Sequence, residues 1–166
     1  MDPISAIRRA FRPGGTAADQ SCSILLLERQ HHFLRKEAIR HAAERAYGRS
    51  FAPGSPTHFV TQSSSTFVKL GEDSIHILQT PTPYEAKPYE VRRRGDSRQH
   101  QWRDHRGHIT FEIWNSSYPM LHAYRILCPL VEELLSDRAI GVFFPRDNYF
   151  FPHDGSALDH FRRLSS

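Results

Sequence analysis

The chain has 166 residues, of which 39% are hydrophobic, 24% charged and 11% aromatic. This length suits one domain, and this balance excludes a disordered, collagen-like or coiled-coil chain. The formal net charge of +4 results from 22 basic and 18 acidic residues, and the excess is concentrated in one segment. We therefore expect one folded unit with a locally basic surface.

The first twenty residues are polar, basic and glycine-containing, and this composition predicts a tail that does not order itself. The spacing of Ile4, Ile7 and Phe11 leaves open a short amphipathic turn that docks on the domain. Residues 21–166 are predicted to form a single domain.

The first half of the domain opens with the apolar run Ser23–Leu27, which is typical of a strand buried on both faces in the centre of a sheet. Apolar residues at helical spacing then predict a helix over 34–47, ended by Gly48. Three short runs follow and predict antiparallel strands at His58–Gln62, Thr66–Leu70 and Ser74–Gln79.

Prolines dominate the next connection, Pro81–Pro88, and predict an extended chain because each fixes its own φ and restricts the preceding residue. The polar segment Asp96–Arg106 predicts a short surface helix. A strand over 108–114 follows, with apolar residues alternating toward the core and Trp114 on the outer face.

The second half contains the longest predicted helix, over 119–135, capped by Ser116 or Ser117 and kinked at Pro129. Two helices meeting at Pro129 are the alternative. The remaining pattern predicts a strand hairpin and a last helix, at Ala139–Phe144, Tyr149–Phe151 and Ser156–Leu164.

The predicted order of elements is β-α-β-β-β, a short helix, and then β-α-β-β-α. It predicts an α+β fold in which a largely antiparallel sheet carries the two main helices on one face. Because a strand, a helix and antiparallel strands occur twice, the order also suggests two β-α-β-β half-repeats.

Several short motifs occur together: Ser23–Leu27, Pro83-Tyr84, His105 followed by Ile109–Glu112, and Ala123-Tyr124-Arg125. In this combination the chain resembles an uncharacterised family of bacterial α+β domains, over about residues 21 to 164. It departs from that family after Tyr84, where residues 86–94 replace an acidic stretch. The resemblance implies the fold and a bacterial origin, and it brings no activity with it.

The predicted location is the cytoplasm. No stretch has the roughly 18 to 20 apolar residues that cross a bilayer, and the N-terminus lacks a secretory signal. Cys22 and Cys128 lie far apart without metal-binding spacing, so both are expected to be buried and reduced. We expect no membrane contact and no cofactor.

The basic segment lies between residues 92 and 106, where six arginines face only two aspartates. A guanidinium group presents a planar fork that binds carboxylates and phosphates. We expect an acidic protein partner here, and thus a non-catalytic interaction or accessory module; nucleic acid or another polyanion is the alternative. Codon usage accounts for arginine over lysine but not for the clustering. The predicted binding residues are Arg92, Arg93, Arg94, Arg98, Trp102, Arg103, His105, Arg106 and Trp114.

The chain has 11 histidines but no spacing diagnostic of a metal or catalytic site. The best cluster is His100, His105 and His108, and the junction near Gly107 is expected to point its members apart. A Gly-x-Ser-x-Gly nucleophile motif is missing from the sequence. We therefore predict neither a metal site nor a catalytic residue, and an enzyme that uses His105 is the remaining alternative.

Overall fold

The computed structural model describes residues 22–51, 59–62, 64–85, 92–93, 103–113, 119–147 and 149–165. The predicted tail over 1–20, most of the predicted helix over 96–106, and Trp114 lie outside the described residues. The described elements are β1 (Cys22–Glu28), α1 (Lys36–Tyr47), β2 (Phe59–Gln62), β3 (Ser65–Leu70), β4 (Asp73–Thr80), β5 (Arg92–Arg93), β6 (Gly107–Ile113), α2 (Met120–Leu134), β7 (Ala139–Phe144), β8 (Tyr149–Pro152) and α3 (Ser156–Ser165).

The described strands form one eight-stranded sheet in the order β2-β3-β4-β6-β1-β7-β8-β5. The described strand pairs are antiparallel except for the short β5, which runs parallel to β8. The structure therefore confirms the α+β class, the largely antiparallel sheet and the central position of β1.

Two β-α-β units are interleaved in this sheet. β1 and β4 both pair with β6, while β6 and β7 both pair with β1. Strands that flank a shared antiparallel neighbour run parallel to each other, so each helix connects a pair of parallel strands. In the first unit, β1-α1-β4, the strands β2 and β3 come between α1 and β4, whereas in the second unit, β6-α2-β7, the strand follows the helix directly. The suggested β-α-β-β half-repeats therefore stay a prediction.

The main core lies between the sheet and the helices. Ile24 and Leu26 of β1 meet Ile39 of α1, Leu127 of α2 and Phe161 of α3 in one buried cluster. All three described helices contribute to this cluster, which confirms that the two main helices pack on one face of the sheet.

A second buried cluster lies on the opposite face. Leu25 and Leu27, which alternate with the helix-facing residues of β1, belong to it, and Tyr84 packs against it. β1 is therefore buried on both faces, as its continuous apolar run predicts. The other members of the cluster are Ile140, Phe143 and Phe150.

The start of α2 differs from the prediction. Pro119 is the N-cap and makes no side-chain cap bond, whereas it was predicted to lie in the first turn. Its backbone carbonyl accepts hydrogen bonds from the N–H groups of His122 and Ala123. The predicted cap residues Ser116 and Ser117 lie outside the described residues. Pro129 lies inside one unbroken helix, so the alternative of two helices is wrong.

Both cysteines, Cys22 and Cys128, are buried and free, as predicted. Burial raises the pKa of the Cys22 thiol to about 12, so the thiol keeps its proton and is a poor nucleophile. Among the described residues, no helix combines the length and the apolar character required to cross a membrane.

A matched pair of leucines on α2 tests the core. Leu127 is fully buried, whereas Leu121 is 48% exposed. Leu127→Ala should lower the free energy of unfolding by about 2 to 5 kcal/mol, because it removes buried methyl groups and leaves a cavity. Leu121→Ala should cost under about 1 kcal/mol. Urea unfolding measures both, and equal losses would contradict the assigned face of α2.

Candidate functional site

A cleft lies where the hairpin of β7 and β8 meets α3. Its volume is about 360 Å³, which is enough for one small molecule or one side chain of a partner. Its lining combines aromatic and charged side chains, namely Phe144, Asp147, Tyr149, Phe151, His160 and Arg163.

The hairpin register builds one wall of this cleft. Phe144 pairs with Tyr149, and Val142 pairs with Phe151. Tyr149 and Phe151 are two residues apart on one strand and therefore share a face. Their rings touch, with centroids 4.7 Å apart.

α3 supplies the opposite wall. The His160 ring stacks on Phe151, with centroids 4.4 Å apart and an interplanar angle of 23°. The same ring meets Phe144 edge-on at 5.2 Å. Arg163 follows three residues later on the helix and therefore lies on the same side as His160. The cleft thus has an aromatic floor, an imidazole in its wall and an exposed guanidinium at its rim.

An acidic group is fixed in the same cleft. The buried Tyr124 hydroxyl donates a hydrogen bond of 3.0 Å to Oδ2 of Asp147. Burial raises the pKa of the Tyr124 phenol, so the hydroxyl remains a donor at physiological pH. Asp147 is therefore held in place as an exposed carboxylate opposite Arg163.

The basic segment begins beside this cleft. Arg92 of β5 pairs with Tyr149, which lines the cleft, and Arg93 pairs with Phe150. β5 is the last strand at this end of the described sheet. The sequence could not show this neighbourhood, because 56 residues separate Arg93 from Tyr149 along the chain.

The other predicted binding residues fall into two groups. Arg103 and Arg106 are exposed, and the backbone N–H of Arg106 donates to the carbonyl oxygen of Glu28 at 2.9 Å, which ties the end of the segment to β1. The side chains of Arg92 and Arg93 lie outside the described part of the structure. So do the whole residues Arg94, Arg98, Trp102 and Trp114.

His105 was predicted to lie on the binding surface, but the structure places it in the interior. Its side chain is buried, and its Nε2 accepts a hydrogen bond of 2.8 Å from the backbone N–H of Tyr84. The connection after β4 covers the start of β6 at this point, so His105 is removed from the basic surface. With Nε2 occupied by a backbone donor, His105 is also a poor candidate for an enzymatic base.

Sequence reasoning missed a buried carboxylate at the end of β1. Glu28 is 1% exposed, and its two oxygens lie 3.1 Å from Nδ1 of His31 and 3.4 Å from Nδ1 of His32. Burial raises the pKa of Glu28 and lowers the pKa of His31. Gly107 leaves room for the His31 ring, since a Cβ at Gly107 would overlap it. The adjacent His31-His32 pair was the available signal, but sequence alone did not show what faced it.

No described set of three or more His, Cys, Asp or Glu side chains is arranged to hold a metal ion. Comparisons with protein-family models, curated proteins and solved structures find no match. The resemblance to a family of bacterial α+β domains therefore stays a prediction.

The buried His108 predicts a pH dependence of stability. Burial lowers the pKa of His108 below its ordinary value of 6.5, although its Nδ1–H donates to the carbonyl oxygen of Thr82 at 2.9 Å. The unfolded chain therefore binds this proton more readily than the folded chain, and stability should fall as the pH falls through about 6.5.

Urea unfolding at about pH 7.5 and about pH 5.5 measures this effect. His108→Gln should lose less stability between the two pH values than the unmodified protein. His153→Gln, which changes an exposed histidine, is the control and should behave like the unmodified protein. An unchanged pH dependence in His108→Gln would contradict the interpretation.

Proposed function

We propose that the protein is a binding module that holds an acidic segment of a partner protein, with one apolar side chain of that segment inserted in the cleft. The observation that carries this proposal is the pairing of Arg92 with Tyr149. It brings Arg92 and Arg93, the start of the basic segment, to the edge of the aromatic cleft. We further propose that this binding takes place in the bacterial cytoplasm.

Charge favours an acidic partner. The segment over 92–106 contains six arginines and two aspartates, and it begins beside the cleft with Arg92 and Arg93. Its other end, with Arg103 and Arg106, lies near Glu28 and away from the cleft, because Glu28 pairs with the start of β7 and Phe144 is at the end of that strand. Arg163 adds a further exposed guanidinium at the rim of the cleft. Clustered charges of one sign attract an oppositely charged partner over roughly the Debye length, about 8 to 10 Å at moderate salt.

Shape favours an apolar anchor. Phe144 and Phe151 are buried at the floor of the cleft, whereas Tyr149 and His160 are half-buried at its sides. Aromatic pockets of this kind take up single anchor side chains, which dominate the energy of many protein interfaces. A phenylalanine or leucine between acidic residues would satisfy both the cleft and its rim.

The cleft favours protein over nucleic acid. The fixed carboxylate of Asp147 repels the acidic groups of either partner, but it can accept a hydrogen bond from a backbone N–H group of a peptide, which a phosphate backbone lacks. Binding of single-stranded nucleic acid uses exposed aromatic platforms. Among the described residues, Phe33 and Leu121 are the large apolar side chains that are strongly exposed, and neither lines the cleft.

Fluorescence anisotropy with a short labelled acidic peptide that contains one central phenylalanine tests the proposal. Arg163→Gln should weaken binding by roughly twofold to fivefold, the effect of one exposed charge pair. Arg162→Gln removes a neighbouring exposed arginine that does not line the cleft and should change binding less. Replacing the phenylalanine of the peptide by alanine should cost roughly tenfold or more.

Tighter binding of a single-stranded oligonucleotide than of the peptide would overturn the choice of partner. If neither Arg163→Gln nor the removal of the peptide phenylalanine changes the affinity, the proposed role of the cleft is wrong.

The arginines at β5 allow a second test. The triple change of Arg92, Arg93 and Arg94 to Gln should leave the melting temperature nearly unchanged, because β5 pairs through backbone groups. Peptide binding should weaken, mainly through a slower association rate, and the loss should shrink at high salt. An unfolded triple variant would instead show that these arginines are structural.

A further inference from the structure

Three polar side chains come together on the sheet face opposite the helices. They are Ser65 of β3, His76 of β4 and Glu112 of β6, which lie on three neighbouring strands. We call them the Ser65 site. The site lies on the side of the sheet away from the cleft walls, since Phe151 of the cleft belongs to the helix-facing core.

Strand register fixes the arrangement. His76 pairs directly with Glu112 on one side and with Phe67 on the other. Ser65 is two residues from Phe67 on β3, so it shares a face with Phe67 and is the diagonal neighbour of His76. The apolar residues that alternate with the site, Ile75, Ile77, Phe111, Ile113 and Val68, all lie in the core under the helices.

The distances follow the order nucleophile, base and acid. Oγ of Ser65 lies 2.7 Å from Nε2 of His76, and Nδ1 of His76 lies 3.9 Å from Oε2 of Glu112. The Glu112 carboxylate favours the tautomer with its proton on Nδ1, which makes Nε2 the acceptor of the Ser65 hydroxyl. Base-to-acid contacts of this type are often long before a substrate binds.

Burial divides the roles within the site. The His76 side chain is 4% exposed and lies beneath the Phe67 ring, which stacks on it with centroids 4.5 Å apart. Ser65 is half-buried, at the first residue of β3. The imidazole is therefore shielded from bulk water, while Ser65 as a residue keeps part of its surface exposed.

We propose that Ser65 is a reactive nucleophile that accepts an acyl or phosphonyl group from small activated esters and their analogues. Serine, histidine and a carboxylate define such sites by geometry and role, in any chain order. His76 acts as the base, and Glu112 is a positioning residue that holds the imidazole and stabilises its charged form.

The proposed step balances as follows. The Ser65 oxygen attacks the carbonyl carbon and forms a new C–O bond, while its proton passes to Nε2 of His76. The bond to the leaving alcohol then breaks, and His76 returns the proton to the alkoxide. The products are acylated Ser65 and a free alcohol, with His76 neutral as before. The half-buried position of Ser65 next to Phe67 restricts the reagent to a small acyl group.

A small fluorophosphonate is the probe, because it reacts with activated serines and releases fluoride. Intact-mass spectrometry and peptide mapping should show one adduct, on Ser65. Ser65→Ala should abolish labelling. Ser74→Ala removes another half-buried serine from the same face of β4 and should label like the unmodified protein.

The rate of labelling separates a nucleophile from a structural hydrogen bond. His76→Gln should slow labelling by about 100-fold or more, and Glu112→Gln should slow it to a smaller extent. Labelling of the unmodified protein should be lost in urea that unfolds the chain, because unfolding separates Ser65 from His76. This measurement holds even if the His76 variant does not fold.

Three outcomes would overturn the proposal: no adduct on the folded protein, an adduct on another residue, or equal labelling rates in the folded and the urea-unfolded protein. Peptide binding in the cleft does not depend on this result, because the Ser65 site contains none of the residues that line the cleft.

Discussion

Burial of β1 on both faces is the constraint from which the rest of the structure follows. Ile24 and Leu26 enter the core under the helices, while Leu25 and Leu27 enter the cluster on the other face. Full burial of a leucine or isoleucine contributes about 1.5 to 3 kcal/mol. A slip of one residue would exchange the two faces, so this strand fixes the register of its neighbours β6 and β7.

That register positions both sites. Through β6 it fixes the register of β4 and β3. That register places Glu112 opposite His76 and Ser65 diagonal to His76. In the other direction it passes through β7 to β8, where Tyr149 and Phe151 meet α3 and β5. The two sites therefore lie on opposite sides of one central strand and depend on separate sets of strands, β3, β4 and β6 for the Ser65 site and β7 and β8 for the cleft.

Local pattern was enough to predict most elements. Each of these elements could be predicted from the pattern of its own residues. Examples are the apolar run of β1, the helical spacing before Gly48 and the alternation in β6. The start of α2 was predicted slightly too early, because Pro119 has an extended ψ of 140° and is the N-cap instead of a residue of the first turn. His105 was expected at the surface because a segment after β4 that covers it cannot be seen in local pattern.

Neither site could be predicted from local pattern, because each depends on which strands are neighbours in the sheet. The Ser65 site joins positions separated by 11 and 36 residues, and the cleft depends on β5 lying next to β8. Alternation places His76 and Glu112 on the polar faces of their own strands, but only the strand order makes them neighbours. Phe144 and Phe151 belong to the core, yet the same rings also form the floor of the cleft.

Buried polar side chains need partners, and most of those in the described sheet secure a connection. Gln79 exchanges two hydrogen bonds with the backbone of Leu34, while His105 and His108 hold the segment that contains Thr82 and Tyr84.

The contacts of His76 with Ser65 and Glu112 are of another kind, because they join side chains on strands that backbone pairing already holds. A polar group buried beneath Phe67 costs desolvation, and a hydrophobic residue at position 76 would fill the same space without that cost. An imidazole there is the base that Ser65 needs in its proposed role as a nucleophile.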